Sequence, residues 1–378
     1  MKILHIETRH RQGGAERNVL HTAAYQVAAG HAVHLAVGRD SDVNGLPNDL
    51  HVHVIPSLVR AIDPVRDLAA LRELRSLIRG HRFDIVHTHQ SKAGVIGRVA
   101  ARGIAPVTVH TVHMASFGPA YNRLASSFFL QAEQVCARFT DVIVTVGSEL
   151  RDVYLEEHVG RPDQYRVIHS PIDVEGLVGL RQLDDHEVAR IRRDFGLGDL
   201  PLAVSIGSLE RRKRFDVVVR ELADLLRAGR LHLAIAGDGP EREPLRQLTR
   251  ELGVDEQVSL LGHVPDVGPL LRASNVLVHA SKVEGVPQVI IQALAVGTPV
   301  VATEAIGLHE VTSDALVVVP TSGRMLAGAV ESVLASTPPA PLPDDLSSWS
   351  RPAVEDELAK LMGHLDDRLV ARRQRGRP

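Results

Sequence analysis

Short apolar segments alternate with longer amphipathic segments along both halves of the chain, and this alternation limits the fold more than any other feature. The apolar segments have the length of buried strands, and the amphipathic segments have the length of helices. Such a repeat builds parallel sheets covered by helices, and 378 residues are enough for two domains of this kind. The predicted strands are residues 2–7, 32–37, 84–88, 107–111 and 141–146, then 202–206, 231–236, 258–261 and 275–280.

Composition and charge indicate a globular protein without a nucleic-acid partner. The chain is 44% hydrophobic and 24% charged, which is typical of a globular protein. Its net charge is −3 and it has no strongly basic block, whereas nucleic-acid binding needs a clustered positive surface. We therefore expect no nucleic-acid partner, and we interpret the basic tail as a solvated end. That tail contains Arg372, Arg373, Arg375 and Arg377.

The single cysteine and the lengths of the apolar segments indicate a compartment. Cys136 lies in an apolar predicted helix, so we expect a small core residue and no disulfide framework. No apolar stretch reaches the ~18 residues that cross a membrane, and Met1 is followed closely by the first predicted strand. We expect a cytoplasmic protein.

A polar loop at residues 281–287 joins a predicted strand to a predicted helix at residues 287–296. Pro287 suits the first helical turn, where its missing N–H costs nothing, and Gly297 ends the helix. The free N–H groups and the positive end of the helix dipole favour an anion such as phosphate.

Two polar side chains in this stretch indicate a ligand that is more than an anion. Glu284 lies in the loop, and a carboxylate beside phosphate is repelled unless it binds something else, such as sugar hydroxyls. At ~100° per residue, Glu284 and Gln292 would lie roughly 80° apart around a helix, so both could contact one elongated ligand. The loop therefore predicts a nucleotide-sugar site.

The residues of this stretch resemble the signature of glycosyltransferase family 4. The resemblance lies in Glu284-Gly285-Val286-Pro287, an apolar helix containing Gln292, and residues 297–303. It implies a retaining enzyme of the α/β GT-B fold, with two Rossmann-like domains whose parallel sheets face each other across a cleft. The alternative interpretation of the stretch is an ordinary strand, loop and helix of an α/β domain with a surface glutamate.

The resemblance also implies the domain boundaries. Residues 1–170 would form the acceptor-binding domain, and residues 171–349 would form the nucleotide-sugar-binding domain. A proline-rich stretch at residues 338–343 predicts a stiff linker. The final helix, within residues 350–378, would then return to pack on the first domain.

A glycine turn after the predicted strand at residues 202–206 presents Arg211, Arg212 and Lys213. Cations suit a diphosphate leaving group, because they stabilise the charge that grows as the glycosidic bond breaks. The resemblance assigns Lys213 to the diphosphate. Ser208 stands where the family has arginine, and Arg211 or Arg212 could substitute for it. We assign Arg212 to the diphosphate; a solvated charge cluster is the alternative.

The resemblance implies the rest of the donor site. Gln292 departs from the family, which has glutamate there for the ribose hydroxyls; an amide oxygen accepts these hydrogen bonds more weakly than a carboxylate does. The diphosphate loop would be Gly285, Val286 and Pro287, and the nucleoside site would be Gly207, His263, Val264 and Gln292.

Two features of the first half also match the family. Gly13 and Gly14 follow the first predicted strand, and paired glycines permit close approach of the backbone to a ligand. In the family, this loop adjoins the donor phosphates. His113 matches a family histidine that contacts the donor sugar near the reacting centre, although Met114 stands where glycine or aspartate is common.

Histidines and a lysine follow two strands of the first half, where parallel sheets place ligands. His89 and Lys92 are therefore acceptor-side candidates. A zinc site of His87, His89, His110 and His113 is the alternative. It is disfavoured because alternate strand residues point to opposite faces and no cysteine or paired carboxylate completes the site.

Two further patterns have simple interpretations. Asp40-Ser41-Asp42 matches the D-x-D of metal-dependent glycosyltransferases, but it follows the second strand, so we predict a surface turn. The helix at residues 121–139 is amphipathic, and such helices anchor some relatives to membranes. Its polar face lacks the basic cluster that surface binding needs. We predict that it packs in the core and that the acceptor is soluble, leaving contact with a membrane surface open.

The predicted function is metal-independent, retaining transfer of a sugar from a UDP- or GDP-sugar to a small-molecule or glycan acceptor, without a cofactor. The predicted catalytic residues are His113, Lys213 and Glu284. Two alternatives remain open. One is an auxiliary GT-B protein without chemistry, suggested by Ser208 and Gln292. The other is a GT-B nucleotide-sugar epimerase, which would need a carboxylate–histidine acid–base set. The sugar, the acceptor and the oligomeric state are not predicted.

Overall fold

The computed structural model describes residues 1–11, 13–118, 121–320, 325–336 and 341–374. The chain divides into two compact units, Met1–Pro171 with Pro352–Pro378, and Ile172–Arg351. Each unit contains one parallel sheet with helices on it, which confirms the predicted α/β class with two Rossmann-like domains. Residues 338–340 of the predicted linker, Arg375 and Arg377 of the basic tail, and Gln12 of the glycine loop lie outside the described residues.

The sheet of the first unit has the strand order β3-β2-β1-β4-β5-β6-β7. Its strands are β1 (Lys2–Glu7), β2 (Ala32–Gly38), β3 (His51–Ile55), β4 (Ile85–His89), β5 (Val107–Val112), β6 (Val142–Thr145) and β7 (Tyr165–Val167). Its helices are α1 (Gly14–Ala28), α2 (Pro64–His81), α3 (Ser91–Ala101), α4 (Arg123–Ala137), α5 (Ser148–Glu156) and, at the end of the chain, α13 (Arg351–Gln374). The order reverses direction between β1 and β4, and such a reversal opens a crevice at the carboxyl ends of the two strands.

The second unit has the strand order β10-β9-β8-β11-β12-β13. Its strands are β8 (Leu202–Ile206), β9 (His232–Ala236), β10 (Val258–Gly262), β11 (Val276–His279), β12 (Val300–Thr303) and β13 (Leu316–Val319). Its helices are α6 (Val174–Gly179), α7 (Asp185–Asp194), α8 (Phe215–Arg227), α9 (Arg242–Leu252), α10 (Gly268–Arg272), α11 (Gln288–Val296) and α12 (Leu326–Ala335). Here the order reverses between β8 and β11, which places the second crevice at these two strands.

Helix α13 completes the core of the first unit rather than extending the second. Its buried residues Val354, Leu358 and Leu365 belong to one apolar cluster with strand residues such as Ile3 and Val109. Because burial of apolar side chains is the main stabilising term in folding, this cluster ties the end of the chain to its beginning. The final helix therefore belongs to the same compact unit as β1.

In the sequence, Asp63-Pro64 predicts the start of α2 as an N-cap and first-turn pair, and Gly80 predicts its end. The side chain of Asp63 accepts hydrogen bonds from the backbone N–H groups of Val65 and Arg66, which satisfies two donors of the first turn and confirms the predicted cap. The prediction that Gly80 ends this helix is wrong. The helix continues to His81, and Arg82 adopts the left-handed conformation that closes it, with φ of 51°.

Helix α4 corrects a second prediction. Its amphipathic pattern led us to expect core packing, but Leu124, Phe128 and Val135 are exposed. The buried residues of α4 are instead Glu133, Cys136 and Ala137. Cys136 is thus the small buried residue predicted, whereas the large apolar side chains face outward. Core packing is therefore no longer an argument for a soluble acceptor.

The hydropathy of the helices bears on membrane insertion. Within the part of the chain that the structure describes, no helix combines the length and the apolar character needed to cross a membrane.

Candidate functional site

In the second unit, the loops after β8 and β11 meet at the point where the strand order reverses. The backbone N–H of Lys282 donates to the carbonyl oxygen of Arg212 at 2.8 Å, and the hydroxyl of Ser281 donates to the same oxygen at 3.3 Å. These bonds attach the loop at residues 281–287 to the short 3-10 helix Arg211–Lys213. Strands β8 and β11 are hydrogen-bonded neighbours, so the two predicted donor-site segments are brought together.

Glu284 is the centre of this junction. It is only 7% exposed, and its Oε1 forms an ion pair with Nζ of Lys213. Nη1 of Arg212 lies 3.7 Å from Oε2 of Glu284. Burial favours the protonated carboxyl group, but Lys213, His279 and Arg212 together hold the pKa of Glu284 well below its usual range. Glu284 is therefore a carboxylate at neutral pH.

The two arginines of the 3-10 helix differ in their surroundings. Nε of Arg212 donates to Oε2 of Glu210 at 3.0 Å, and its Nη1 donates to the carbonyl oxygen of Val283 at 3.4 Å. The side chain of Arg211 is 92% exposed and lies 3.7 Å from Glu241. Arg212 is thus the arginine fixed beside Glu284, and its role at the diphosphate stays a prediction.

His279, the last residue of β11, is a site residue that the sequence analysis missed. Its Nε2 lies 3.3 Å from Oε1 of Glu284. Burial lowers the pKa of His279, so the ring is neutral near pH 7. The signal was a histidine at the carboxyl end of an otherwise apolar buried strand, five residues before Glu284.

Glycines allow the turns of this site to approach each other. Gly237 has φ of +144°, and a Cβ atom there would lie 1.9 Å from the carbonyl oxygen of Gly207. Only glycine fits this contact, because any side chain would meet the backbone of the neighbouring turn. Gly207 itself lies beside Lys213, since a Cβ atom at Gly207 would be 3.5 Å from Cε of that lysine.

The loop from Gly285 to Pro287 precedes α11, and this corrects two details. Pro287 is the residue before the first helical residue, Gln288, rather than part of the first turn. Glu284 lies outside the helix, so the angular argument that related it to Gln292 is wrong. Gln292 is half-buried on α11. Gly297 ends the helix in the left-handed conformation, as predicted, with φ of 87°.

His263 and Val264 lie beyond the carboxyl end of β10. The carbonyl oxygen of Gly262, immediately before them, accepts a hydrogen bond from the backbone N–H of Gly237 at 2.7 Å. His263 is exposed, and Val264 packs partly against the apolar core of the unit. Both residues are thus located at the same edge of the sheet as the glycine turns, and their nucleoside-binding role stays a prediction.

In the first unit, Gly13 is the N-cap of α1 and Gly14 is its first residue. A Cβ atom at Gly13 would lie 2.4 Å from Oε2 of Glu16, so the glycine lets this carboxylate fold back over the helix start. Burial, and then repulsion from Glu7, raises the pKa of Glu16 to about 7. Oε1 of Glu7 pairs with Nδ1 of His10. This group of acidic and basic side chains was not predicted, because it depends on how the loop folds.

Four histidines gather at the crevice between β1 and β4. Nδ1 of His5 lies 2.9 Å from Nε2 of His89, and Nδ1 of His89 lies 3.2 Å from Nε2 of His113. Nε2 of His87 lies 2.7 Å from Oγ1 of Thr111. Burial is the main cause that lowers the pKa of all four rings, to about 4 for His5 and His113. His113 is therefore a neutral ring held by other histidines.

The other candidates of the first unit have structural contacts. Nζ of Lys92 lies 2.5 Å from Oδ1 of Asp67, and this pair joins α3 to α2. The same ammonium group also pairs with the carbonyl oxygen of Ala61. His89 is buried between two histidines. His110 lies on the opposite face, where its Nδ1 is 2.9 Å from Oγ1 of Thr88. The acceptor-side roles of His89 and Lys92 stay predictions.

The D-x-D segment lies in a turn after β2. Asp40 and Asp42 are exposed. The hydroxyl of Ser41 accepts a hydrogen bond from the backbone N–H of His10 at 2.9 Å. The segment is therefore the predicted surface turn, bonded to the loop after β1.

Solved structures with the same architecture define the class of protein. The chain aligns with HepE from Anabaena, solved in complex with UDP and glucose, over 99% of its length and 98% of that chain, at 19% identity and a TM-score of 0.73. It aligns with sucrose-phosphate synthase from Thermosynechococcus elongatus over 98% of its length and 99% of that chain, at 20% identity and a TM-score of 0.76. The fold is GT-B.

Sequence comparison gives the family. Residues 188–350 match the model of the glycosyl transferases group 1, and residues 12–175 match that of glycosyltransferase family 4. The chain is 27% identical over 272 residues to the Escherichia coli UDP-Gal:alpha-D-GlcNAc-diphosphoundecaprenol alpha-1,3-galactosyltransferase, covering 69% of this chain and 68% of the relative. It is 28% identical over 185 residues to the alpha-D-kanosaminyltransferase of Streptomyces kanamyceticus, covering 45% of this chain and 47% of that relative. Models of glycosyltransferases thus match both halves of the chain, which confirms the predicted resemblance to glycosyltransferase family 4.

The buried pair of Lys213 and Glu284 leads to a prediction about stability. Lys213→Met should lower the free energy of unfolding by about 3 kcal/mol, because the buried carboxylate loses its closest cation. Urea denaturation near pH 7 measures this. The pKa of Glu284 is lower in the folded state, so the pair stabilises the protein near neutral pH and loses its effect as the pH falls through that lowered pKa.

Two variants control this measurement. Lys360 forms an exposed pair with Glu357 at 2.7 Å, so Lys360→Met should cause no measurable change. The double variant Lys213→Met with Glu284→Gln should recover part of the loss, because it removes the unpaired charge. Equal urea midpoints for wild type and Lys213→Met would contradict the buried pair.

Proposed function

We propose that the protein transfers a sugar from a nucleotide-diphosphate sugar to a hydroxyl of a glycan or small-molecule acceptor, with retention of anomeric configuration and without a metal. The observation that carries the proposal is the buried ion pair of Lys213 and Glu284 beside Arg212, at the strand-order reversal of the second unit. Ligands of open parallel sheets bind at such reversals. The pair combines cations for phosphate with an acceptor for sugar hydroxyls.

Lys213 and Arg212 act on the leaving group. Negative charge accumulates on the diphosphate as the glycosidic bond breaks, and cations already held in place stabilise that state more than the ground state. Glu284 and Glu210 hold these two side chains before any substrate binds. These two side chains then need little rearrangement during the reaction. Charges that are already in place stabilise the transition state without that cost.

Glu284 acts on the sugar. A carboxylate whose pKa lies well below its usual range only accepts hydrogen bonds at neutral pH, and sugar hydroxyls are suitable donors. Lys213 pairs with Oε1, and Nε2 of His279 lies 3.3 Å from the same oxygen, while Oε2 lies 3.7 Å from Arg212. Oε2 is therefore the oxygen we assign to a sugar hydroxyl.

The remaining donor contacts are made by the segments that follow β8 and β10, by the loop before α11 and by α11 itself. Backbone N–H groups of Gly285 and Val286, in the loop before α11, bind the diphosphate. Gln292 accepts from the ribose, and Gly207 and the loop at residues 263–264 border the nucleoside. The name of the Escherichia coli relative contains UDP-Gal, and HepE was solved with UDP, so we favour a UDP-sugar as donor.

In the first unit, Gly13 and Gly14 border the donor phosphates and His113 contacts the sugar near the reacting carbon. The family resemblance implies that retention proceeds by attack on the face from which the leaving group departs, without a nucleophilic side chain. The departing phosphate takes the proton of the acceptor hydroxyl, and the new glycosidic bond forms as the bond to phosphate breaks. The proposed acceptor is defined only by its hydroxyl. The exposed apolar side chains of α4 contradict the core packing from which a soluble acceptor was predicted.

Loss of either member of the ion pair should lower turnover. Lys213→Ala and Glu284→Ala should each reduce kcat by about 10² or more, as expected when a preorganised charge is removed. Lys282→Ala is the control, because this exposed lysine contributes only its backbone N–H to the junction. Steady-state kinetics with the identified donor and acceptor measures all three. Unchanged turnover in both site variants would overturn the assignment.

The two arginines provide a second comparison within the same assay. Arg212→Ala should lower kcat, because Arg212 is fixed beside Glu284. Arg211→Ala should leave kcat unchanged, because its side chain is 92% exposed. A loss in Arg211→Ala equal to that in Arg212→Ala would show that the leaving group lies outside the junction of the two loops.

Gln292 allows a test of nucleoside binding that needs no acceptor. A saturating ligand stabilises a protein by about 2.7 kcal/mol at 100 times its dissociation constant, so thermal shifts with UDP-, GDP- and dTDP-sugars identify the donor. Gln292→Glu should increase the shift, because a charged acceptor binds ribose hydroxyls more strongly, and Gln292→Leu should decrease it. No shift with any nucleotide in the wild type would favour an auxiliary protein without chemistry.

A further inference from the structure

A chain of hydrogen bonds runs through the interior of the first unit and ends at His113. Nε2 of His5 lies 2.8 Å from Oε1 of Gln26, a buried residue of α1. Nδ1 of the same ring lies 2.9 Å from Nε2 of His89, and Nδ1 of His89 lies 3.2 Å from Nε2 of His113. Three imidazole rings thus connect one amide to the candidate sugar-contacting residue.

The amide of Gln26 sets the direction of the first bond. Its Nε2 lies 3.7 Å from Sδ of Met362, and a thioether sulfur has no proton to donate. The amide nitrogen must therefore face the sulfur, which leaves the carbonyl oxygen facing His5. A carbonyl oxygen only accepts, so Nε2 of His5 carries the proton of this bond.

The donor and the acceptor of each following hydrogen bond are then determined ring by ring. Burial lowers the pKa of His5, His89 and His113, so each ring is neutral near pH 7 and carries one N–H. With its proton on Nε2, His5 accepts at Nδ1 from Nε2–H of His89. His89 in turn accepts at Nδ1 from Nε2–H of His113.

We infer that Gln26, His5 and His89 are positioning residues that fix His113 as its Nε2–H tautomer and leave Nδ1 of His113 as a hydrogen-bond acceptor. Nδ1 of His113 has no hydrogen-bond partner among the described residues, nor is it one of their buried unsatisfied atoms. His113 is half-buried, and this nitrogen is the end of the hydrogen-bonded chain. A ring fixed in this way binds a hydroxyl or ammonium donor and does not bind a bare phosphate oxygen.

A metal site in the same cluster is the competing interpretation. One ring nitrogen from each of His5, His87 and His89 lies within 4.8 Å of the other two, which is close enough for a shared ion. However, both nitrogens of His5 and both of His89 already have polar partners, and the group contains no carboxylate. A buried dication without an anionic ligand is costly, so the hydrogen-bonded arrangement is favoured.

The tautomer bears on catalysis only through the proposed function, because the hydroxyl that Nδ1 of His113 would accept from belongs to the donor sugar. The tautomer itself is a property of the free protein. The two statements can therefore fail separately, and the test of the tautomer is chosen to need no substrate.

Nitrogen-15 NMR of the histidine-labelled protein at pH 7 measures the tautomer directly, since protonated and unprotonated ring nitrogens resonate far apart. His113→Gln identifies the signals of His113 by their disappearance. We expect a protonated Nε2 and an unprotonated Nδ1 in the wild type. Gln26→Leu should change the tautomer populations of His113, three hydrogen bonds away, whereas Met362→Leu should keep them because the carbonyl oxygen of Gln26 remains beside His5.

Three results would overturn the inference. They are a protonated Nδ1 on His113, averaged signals that show exchange between both tautomers, and a simultaneous shift of the His5, His87 and His89 signals on addition of one equivalent of Zn²⁺. The wild-type measurement decides the question even if Gln26→Leu fails to fold. A fixed tautomer without any glycosyl transfer would leave the inference standing and reject the proposed function.

Discussion

The buried ion pair of Lys213 and Glu284 is the interaction on which the candidate donor site depends. Each residue lies in a loop after a different strand, so the pair joins two turns that Arg212 and Ser281 also connect. Coulomb attraction between unit charges about 4 Å apart is worth roughly 4 kcal/mol at an effective dielectric constant of 20. That energy is offset by desolvation of both groups, and the second cation, Arg212, adds to the attraction on the carboxylate.

Strand order explains why the polar groups of each unit meet where they do. In both sheets the chain first builds strands outward on one side and then returns to the other side of the first strand. In the second unit, the loop after β8 therefore lies beside the loop after β11. In the first unit, the loop after β1 lies beside the loop after β4. More than 60 residues separate the two loops of each pair in the sequence. The crevice is a consequence of parallel topology, and the residues at its edge determine its chemistry.

The sequence predicted the strands and the loops better than it predicted the contacts between them. Alternation of apolar and amphipathic segments identified both sheets, and Glu284, Arg212 and Lys213 were each located in a loop at a strand end. Their ion pair was not predicted, because pairing depends on β8 and β11 being neighbours. The same reason explains why His279 was missed, since a lone histidine on a strand shows no partner until the loop after it is folded.

Two errors have a local physical cause. A glycine is permitted inside a helix at a modest cost, so Gly80 marked the end of α2 only approximately, and Arg82 supplied the left-handed residue instead. Amphipathic spacing identifies an apolar face but does not state what covers it, and on α4 the small and polar side chains are the buried ones. Propensity gives the element, whereas tertiary packing decides its orientation.

The polar groups of the two crevices are buried in different charge states. In the second unit, charges of both signs are buried together and hold one another in their ionised forms. In the first unit, burial keeps His5, His87, His89 and His113 neutral, so their order depends on which nitrogen carries each proton. An ion pair stabilises a growing charge strongly but with little directional preference, whereas a chain of neutral rings discriminates donors from acceptors. The first arrangement therefore suits a ligand group that gains charge, and the second suits a ligand group that is selected by its hydrogen bonds.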